Sequence, residues 1–373
     1  MRASHGATFG WAQQTGGFVS TIVSIATAVP AFSATQAQVK AAFRPLFPLD
    51  GRRLDAAMAL FDHAQVETRH SVLSLPEIGR RRTLTDTMRV YAENARELGQ
   101  RVGRECLRRA AVSAAEIDLV ITVSCTGVMI PSLDATLIDT LGMRRDVRRL
   151  PITELGCFGG AAAVARAHDY LRGHPDGHVL VISVELPSLS LQSADVSPDS
   201  LVSSAIFGDG AAAVVLAGDQ AQAPGATSPV RIRGTLSHTI PASTAALGFD
   251  LHDDGFHAVL SKDVPALLRG VISELVDRLA ADGGLSAREL SAFVLHPGGK
   301  KILGAIEDTL GLRREDTQPS WDVLRDYGNQ SSASVLFVLE KWMVDRRPQS
   351  GTPGVMAAFG PGLSAELLLL EWV

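Results

Sequence analysis

The 373-residue chain reads as an α/β protein made of two successive halves, and three observations carry that reading. Short apolar runs at 119–123, 179–184 and 355–359 have the make-up of buried strands and alternate with segments of helical periodicity. The alternation restarts after the Ala-, Gly-, Pro- and Gln-rich stretch 220–229. A composition of 46% hydrophobic and 20% charged residues supplies enough apolar material for a large core and excludes a disordered chain. The expected architecture is a sandwich with helices between and over mixed sheets.

Residues 1–17, rich in Gly, Ala, Gln and Ser, are expected to form a flexible N-terminal segment. The run 18–29, ended by Pro30, reads as an opening strand: Ser and Thr interrupt it, and only Arg2 precedes it where a signal peptide carries a basic region. Helices follow at 93–111 and 131–141, separated by the strand 119–123. A helix opens at or just after Cys157, a strand covers 179–184, and a Gly208-Asp209-Gly210 turn leads into a strand at 211–216. The boundary placed in 220–229 gives a first half of 18–225 and a second of 226–373. In the second half Leu267, Leu268, Val271, Ile272, Leu275 and Leu279 mark one face of a helix that Gly283 ends. A strand at 293–295, helices at 300–310 and 332–343, and strands at 355–359 and 367–371 complete the chain.

A net charge of −5 gives no support for a nucleic-acid partner, and the clusters Arg80-Arg81-Arg82, Arg144-Arg145 and Arg148-Arg149 read as solvated faces. No segment reaches the roughly 18 apolar residues of a membrane span. The three cysteines, Cys106, Cys125 and Cys157, have neither metal-ligand spacing nor the even count of a disulfide framework, so a reducing cytoplasm is expected. No P-loop, dinucleotide fingerprint, HExxH or CxxC motif is present.

The chemistry gathers at element ends. Cys157 stands between Gly156 and Phe158 at the head of the Ala-rich segment from 161, where unpaired N–H groups and the helix dipole favour a thiolate. His296 follows a strand and is held by Pro297-Gly298-Gly299, a suitable place for a general base. Asn329 precedes a helix and offers an amide N–H to a developing oxyanion. Each residue alone has an ordinary structural explanation, as core thiol, core histidine or helix cap. Together they form a Cys-His-Asn set in which a thiolate–imidazolium pair is the expected nucleophile.

Gly156-Cys157-Phe158, Phe207-Gly208-Asp209-Gly210-Ala211, His296-Pro297-Gly298-Gly299, Gly328-Asn329-Gln330-Ser331-Ser332 and Ala358-Phe359-Gly360-Pro361-Gly362 resemble, in order and spacing, the signatures of the chalcone and stilbene synthase superfamily, the type III polyketide synthases. The likeness runs from about residue 18 to 373, and Ser124-Cys125-Thr126-Gly127 resembles the bacterial members. The resemblance implies a thiolase-like, duplicated five-layer α-β-α-β-α sandwich in a cytoplasmic homodimer with one site per subunit. It implies an enzyme that needs no cofactor beyond its substrates: an acyl-CoA starter loads on the cysteine, malonyl-CoA extends it by decarboxylative Claisen condensation, and the chain is cyclised. Cys157 would be the nucleophile, His296 its partner, and His296 with Asn329 the binders of the thioester carbonyl. Phe207 would be the gate between CoA tunnel and cavity. Cys125, Thr126, Ser190, Ala258 and Ser331 would line the substrate cavity, with Ile130, before Pro131, reaching in from the partner subunit.

Several positions depart from the plant pattern of the family. Cys125 replaces a cavity threonine, Ala258 a gate phenylalanine, and Ala358 a loop glycine. His63 and Glu67 occupy places of basic CoA contacts, leaving Arg69, Lys300 and Lys301 as candidates for that role. The small Ala258 predicts room for a medium or long aliphatic starter and an alkylpyrone or alkylresorcinol-type product; the alternative is a malonyl-primed hydroxynaphthalene. Ketoacyl-carrier-protein synthase III shares fold and triad but its histidine segment normally lacks Pro-Gly-Gly. A papain-type hydrolase uses the same three residues in the same order, and a non-catalytic acyl-binding protein would not require all three.

Overall fold

The computed structural model describes residues 19–80 and 82–373; the expected flexible segment 1–17, Phe18 and Arg81 lie outside the described residues. The first half lays down β1 (Ser20–Ala28), β2 (Phe32–Thr35), β3 (Thr68–Ser71), β4 (Leu119–Val123), β5 (Arg148–Ile152), β6 (His178–Glu185) and β7 (Gly210–Ala217). Every residue of β4, β6 and β7 is buried, as strands without polar alternation must be when both faces are covered. Residues 218–229 run irregularly from β7 to the second half. That half contains β8 (Val230–Thr239), β9 (Leu247–His252), β10 (Gly255–Leu260), β11 (Ala292–Leu295), β12 (Pro353–Gly360) and β13 (Ser364–Trp372).

Nine strands hydrogen-bond in the order β11-β12-β13-β8-β1-β7-β6-β4-β5, while β2/β3 and β9/β10 form separate two-stranded ribbons. β1 pairs with β7 along most of its length but with β8 only through Ser20, Thr21 and Ile22, so the sheets of the two halves join at one corner. Away from that corner they splay apart and hold the helices Gly159–Arg172 and Ser334–Glu340 between them. Both central helices touch strands of both halves and each other. The helices Leu84–Ala110 and Leu133–Leu141 cover the outer face of the first sheet; Ile272–Asp282 covers the second, and Lys300–Leu310 packs against that helix. The result is the five-layer thiolase-like sandwich that the sequence predicts.

The central layer explains its own composition. Ala161, Ala163, Val164 and Ala165 are fully buried, because the first turns of this helix lie between the two sheets and need small side chains for close packing, while Arg166 and Asp169 reach solvent further along. Gly160 allows the two central helices to meet: a Cβ there would lie 2.1 Å from the Ser332 carbonyl oxygen.

Several boundaries differ from expectation. The helix predicted at 93–111 begins at Leu84, capped by the Thr83 hydroxyl accepting from Asp86 N, and ends where Ala111 turns left-handed. The predicted helix through Leu267 and Leu279 is two, Val264–Arg269 and Ile272–Asp282, broken where Val271 leaves helical geometry after Gly270. The helix predicted at 332–343 is a 3-10 turn, Ser331–Ala333, then Ser334–Glu340, then a π-helical stretch, Lys341–Arg346. A 3-10 turn, Gly156–Phe158, likewise precedes Gly159–Arg172.

Candidate active site

Cys157 sits in the 3-10 turn ahead of the first central helix. The turn needs glycine at 156, where φ is +59° and a Cβ would lie 2.5 Å from the Pro361 ring. His296 follows β11; its N–H donates to the Ala357 carbonyl at 2.9 Å, and its own carbonyl accepts from Gly298 N at 2.9 Å, which fixes the turn. The side chain is 2% exposed, and neither ring nitrogen has a hydrogen-bond partner among the described residues. Asn329 Oδ1 accepts from Ser331 N at 2.8 Å, which turns the amide NH2 away from the helix it precedes. Its main chain is bonded to the segment before the Gly208-Asp209-Gly210 turn, through Asn329 N to Ile206 O at 2.8 Å and Gly208 N to Asn329 O at 3.0 Å.

Cys157, His296 and Asn329 line one cavity of about 60 Å3, with Phe207, Gly298 and Pro361 also on its wall. A second cavity of about 240 Å3 adjoins it, and Ser203, Phe207, Phe249 and Ala258 belong to both walls. Phe207 therefore stands at the division between them.

The electrostatics differ from the sequence expectation of a thiolate–imidazolium pair. Burial pushes the Cys157 thiol up to about 11, against smaller downward effects of the Ser331 hydroxyl and the Asn329 amide. Burial likewise pushes the His296 imidazole down to about 3. Both shifts favour the neutral pair in the unliganded site, since neither charge has enough hydrogen-bonding compensation to offset desolvation. The helix-dipole argument is outweighed by desolvation of the thiol, which is the largest cause of the shift.

Over residues 9–220 the sequence matches the N-terminal domain of the chalcone and stilbene synthases, and over 232–373 their C-terminal domain. The chain belongs to that family. It is a type III polyketide synthase, an acyltransferase of the decarboxylating, condensing kind. It is 38% identical to 1,3,6,8-tetrahydroxynaphthalene synthase of Streptomyces peucetius subsp. caesius over 95% of this chain and 93% of the relative. It is 28% identical to the alpha-pyrone synthesis polyketide synthase-like Pks18 of Mycobacterium tuberculosis over 95% and 91%. The crystal structure of 1,3,6,8-tetrahydroxynaphthalene synthase from Streptomyces coelicolor superposes with a TM-score of 0.89 at 33% identity, covering 94% of this chain and 99% of that one.

Within this type III polyketide synthase the other expected site residues fall into three groups. Ser331, Cys125, Ser190 and Ala258 are near the cavities: Ser331 Oγ lies 3.5 Å from Cys157 Sγ and 3.2 Å from Cys125 Sγ, while Ser190 and Ala258 line the larger cavity. Thr126 is buried behind the site, its hydroxyl donating to Glu185 at 2.7 Å and accepting from Leu186 N at 2.8 Å, so it serves as scaffold. Ile130 is 94% exposed beside its cis bond to Pro131, outside both cavities of this subunit.

Of the three CoA candidates, Lys300 and Lys301 are exposed at the start of Lys300–Leu310, just past the cavity-lining Gly298. Arg69 requires a correction. It is 7% exposed, and Nη1 donates to the carbonyls of Ser204 at 2.7 Å and Phe207 at 2.9 Å, so it braces the gate from inside and offers no surface clamp for CoA phosphates.

Glu185 escaped the sequence reading. Fully buried at the end of β6, it accepts from Thr126 Oγ1, from Cys125 N at 3.1 Å and from the Ser332 hydroxyl; burial raises its pKa despite those donors. A lone carboxylate closing the apolar run 178–184 was the available signal.

Proposed function

We propose that Cys157 carries the acyl chain, that His296 and Asn329 serve its transfer and extension, and that the starter is a medium or long aliphatic acyl-CoA. As Cys157 Sγ attacks the starter thioester, His296 takes the thiol proton and returns it to the departing CoA sulfur. The neutral pair suits this step, since no charge is buried until the substrate arrives and excludes water. When malonyl-CoA follows, its bond to the carboxylate breaks, CO2 leaves, and the electron pair remains as an enolate. An imidazole N–H and the Asn329 amide are donors for the enolate oxygen. The enolate carbon attacks the acyl thioester, the C–S bond to Cys157 breaks, and the lengthened chain returns to the thiol for the next round. Lys300 and Lys301 are the proposed contacts for CoA phosphates at the outer end of the smaller cavity.

The observation that carries the starter assignment is the 240 Å3 cavity. It opens past Ala258 and Phe207 and runs along Val39, Phe43, Leu75 and Ile78, a wall suited to an alkyl tail. Burying such a tail is worth about 0.8 kcal/mol for each methylene. The expected product is an alkylpyrone or alkylresorcinol, and the alpha-pyrone relative supports that class. A second reading, a malonyl-primed hydroxynaphthalene, is favoured by the 38% identity to the tetrahydroxynaphthalene synthase. Acyl-CoA starters of increasing length, each supplied with malonyl-CoA and read by product mass, separate the two. With Ala258→Phe, kcat/KM for long starters should fall about tenfold, or 1.4 kcal/mol, while malonyl priming is spared. Equal loss at every length would remove Ala258 from the acyl pocket.

We also propose a homodimer in which Ile130 reaches the neighbouring subunit's cavity: Ile130 and Val128, two residues earlier, are both exposed, at 94% and 53%, and lie on the loop that enters the cis bond to Pro131. An active monomer in sedimentation would end that proposal.

A further inference from the structure

Two chain segments meet in the wall of the larger cavity. One is the β9–β10 ribbon, which contributes Phe249, Phe256 and Ala258; the other runs from Pro187 to the helix Pro198–Ile206 and contributes Ser190, Leu191 and Asp195. The ribbon stands outside the nine-stranded sheet, and its strands pair only with each other. At its base Leu247 and Leu260 pack against the hydrophobic core. Towards the tip Leu251 is 62% exposed, and of residues 249–258 only Gly255 is buried. Packing therefore fixes the base, while the tip depends on its polar contacts.

Those contacts come from one stretch, residues 192–199. At the base Asp199 Oδ2 accepts from Leu260 N at 2.8 Å; at the tip Gln192 Nε2 donates to the Asp254 carbonyl at 3.1 Å, and Asp195 Oδ2 faces His257 Nδ1 at 3.4 Å. The approach is close: a Cβ on Gly255, where φ is +131°, would lie 2.8 Å from Gln192 Nε2. Both partners of the His257–Asp195 contact are themselves held. Asp195 Oδ1 accepts from Ser197 N at 2.9 Å, just ahead of the helix, and His257 Nε2 lies 2.9 Å from Asp254 Oδ1 in the ribbon's turn, which orients the ring. Strand alternation turns Phe256 and Ala258 to one face of β10 and His257, with its register partner Asp250, to the other. The ring is thus part of the joint that backs the wall, not of the wall's apolar face.

We propose that His257 is a positioning residue for starter selection: by joining the ribbon tip to Asp195 it holds the wall of the larger cavity in place, and so sets how well an alkyl tail is buried there. Without that joint the tip moves on its packed base and water enters along the seam between the two segments. The tail then loses part of the apolar burial that separates long starters from short ones. The proposal rests on the reading of the larger cavity as the acyl pocket. It involves no bond-making step.

The test is His257→Phe, which keeps a ring and removes both nitrogens. Amide hydrogen exchange across 247–260 should quicken about tenfold, while that of the central helix Gly159–Arg172 stays as in the wild type. Equal exchange across 247–260 in the two proteins overturns the joint. The kcat/KM ratio of dodecanoyl-CoA to acetyl-CoA as starter, each with malonyl-CoA, should fall about tenfold through a higher KM for the long starter, with CO2 release from malonyl-CoA alone unchanged. A parallel fall for both starters overturns the role in selection. Asp195→Ala should act in the same direction, and adding His257→Phe to it should change little more, because both remove one contact; additive losses overturn the pairing. His257→Arg, which brings donors for both carboxylates, should keep the wild-type ratio. If His257→Phe does not fold, Asp195→Ala carries both measurements. A wild type that takes no dodecanoyl-CoA would overturn the alkyl-starter reading instead, and the exchange measurement then decides the joint.

Discussion

The two central helices occupy equivalent places in the two halves and contribute unlike chemistry. Each follows a 3-10 turn, Gly156–Phe158 before Gly159–Arg172 and Ser331–Ala333 before Ser334–Glu340. The first turn contains the thiol of Cys157, and the second follows the amide of Asn329. The first helix has 14 residues and an Ala-rich start, whereas the second has 7 and continues as a π-helix. One duplicated position has thus become the proposed carrier of substrate and the other a donor to it. They meet across Gly160 and Ser332, so the distance from nucleophile to oxyanion donor is set by helix packing.

The largest effect should come from the thiol side. Cys157→Ala should abolish chain extension, whereas Cys125→Ala should leave a measurable rate, because Cys125 is the thiol held against Glu185 and has its pKa raised well above the ordinary value by burial and that carboxylate. Product formation from malonyl-CoA compares them directly, and full-length product from Cys157→Ala would reverse the assignment. On the amide side Asn329→Ala should slow decarboxylation about a hundredfold, the usual cost of one oxyanion donor. CO2 release measures it; an unchanged rate would leave Asn329 as a cap alone.

The contact between the helices can be broken without touching either side chain. Gly160→Ala puts a methyl group 2.1 Å from the Ser332 carbonyl oxygen and should cost about 1–3 kcal/mol in urea unfolding. A neutral result would mean that the helices can part freely.

A further effect, on reactivity and not on turnover, concerns protonation. With the Cys157 thiol near 11 in the free enzyme, the thiolate fraction rises with pH, so iodoacetamide inactivation should quicken about tenfold per pH unit between pH 7 and 9. A plateau near neutrality would restore the thiolate–imidazolium pair expected from sequence.

Local sequence was enough for seven of the thirteen described strands and for the chemistry-bearing turns; β2, β3, β5, β8, β9 and β10, which carry polar or exposed residues, were not legible in it. Apolar runs such as 119–123 and 179–184 fix buried strands by local composition, and Gly156, Pro297 and Gly328 fix turns by backbone conformation. These are near-neighbour effects, so Cys157, His296 and Asn329 were legible as a set before any contact was known. Tertiary structure decided the rest. Arg69 looked like an available cation until burial committed it to Phe207, and Cys157 looked like a thiolate until desolvation in the folded site raised its pKa. Glu185 became visible only when β6 met the Cys125 loop. Protonation, cavity volume and donor direction depend on residues far apart in the chain, and desolvation by those residues is not encoded in any local pattern.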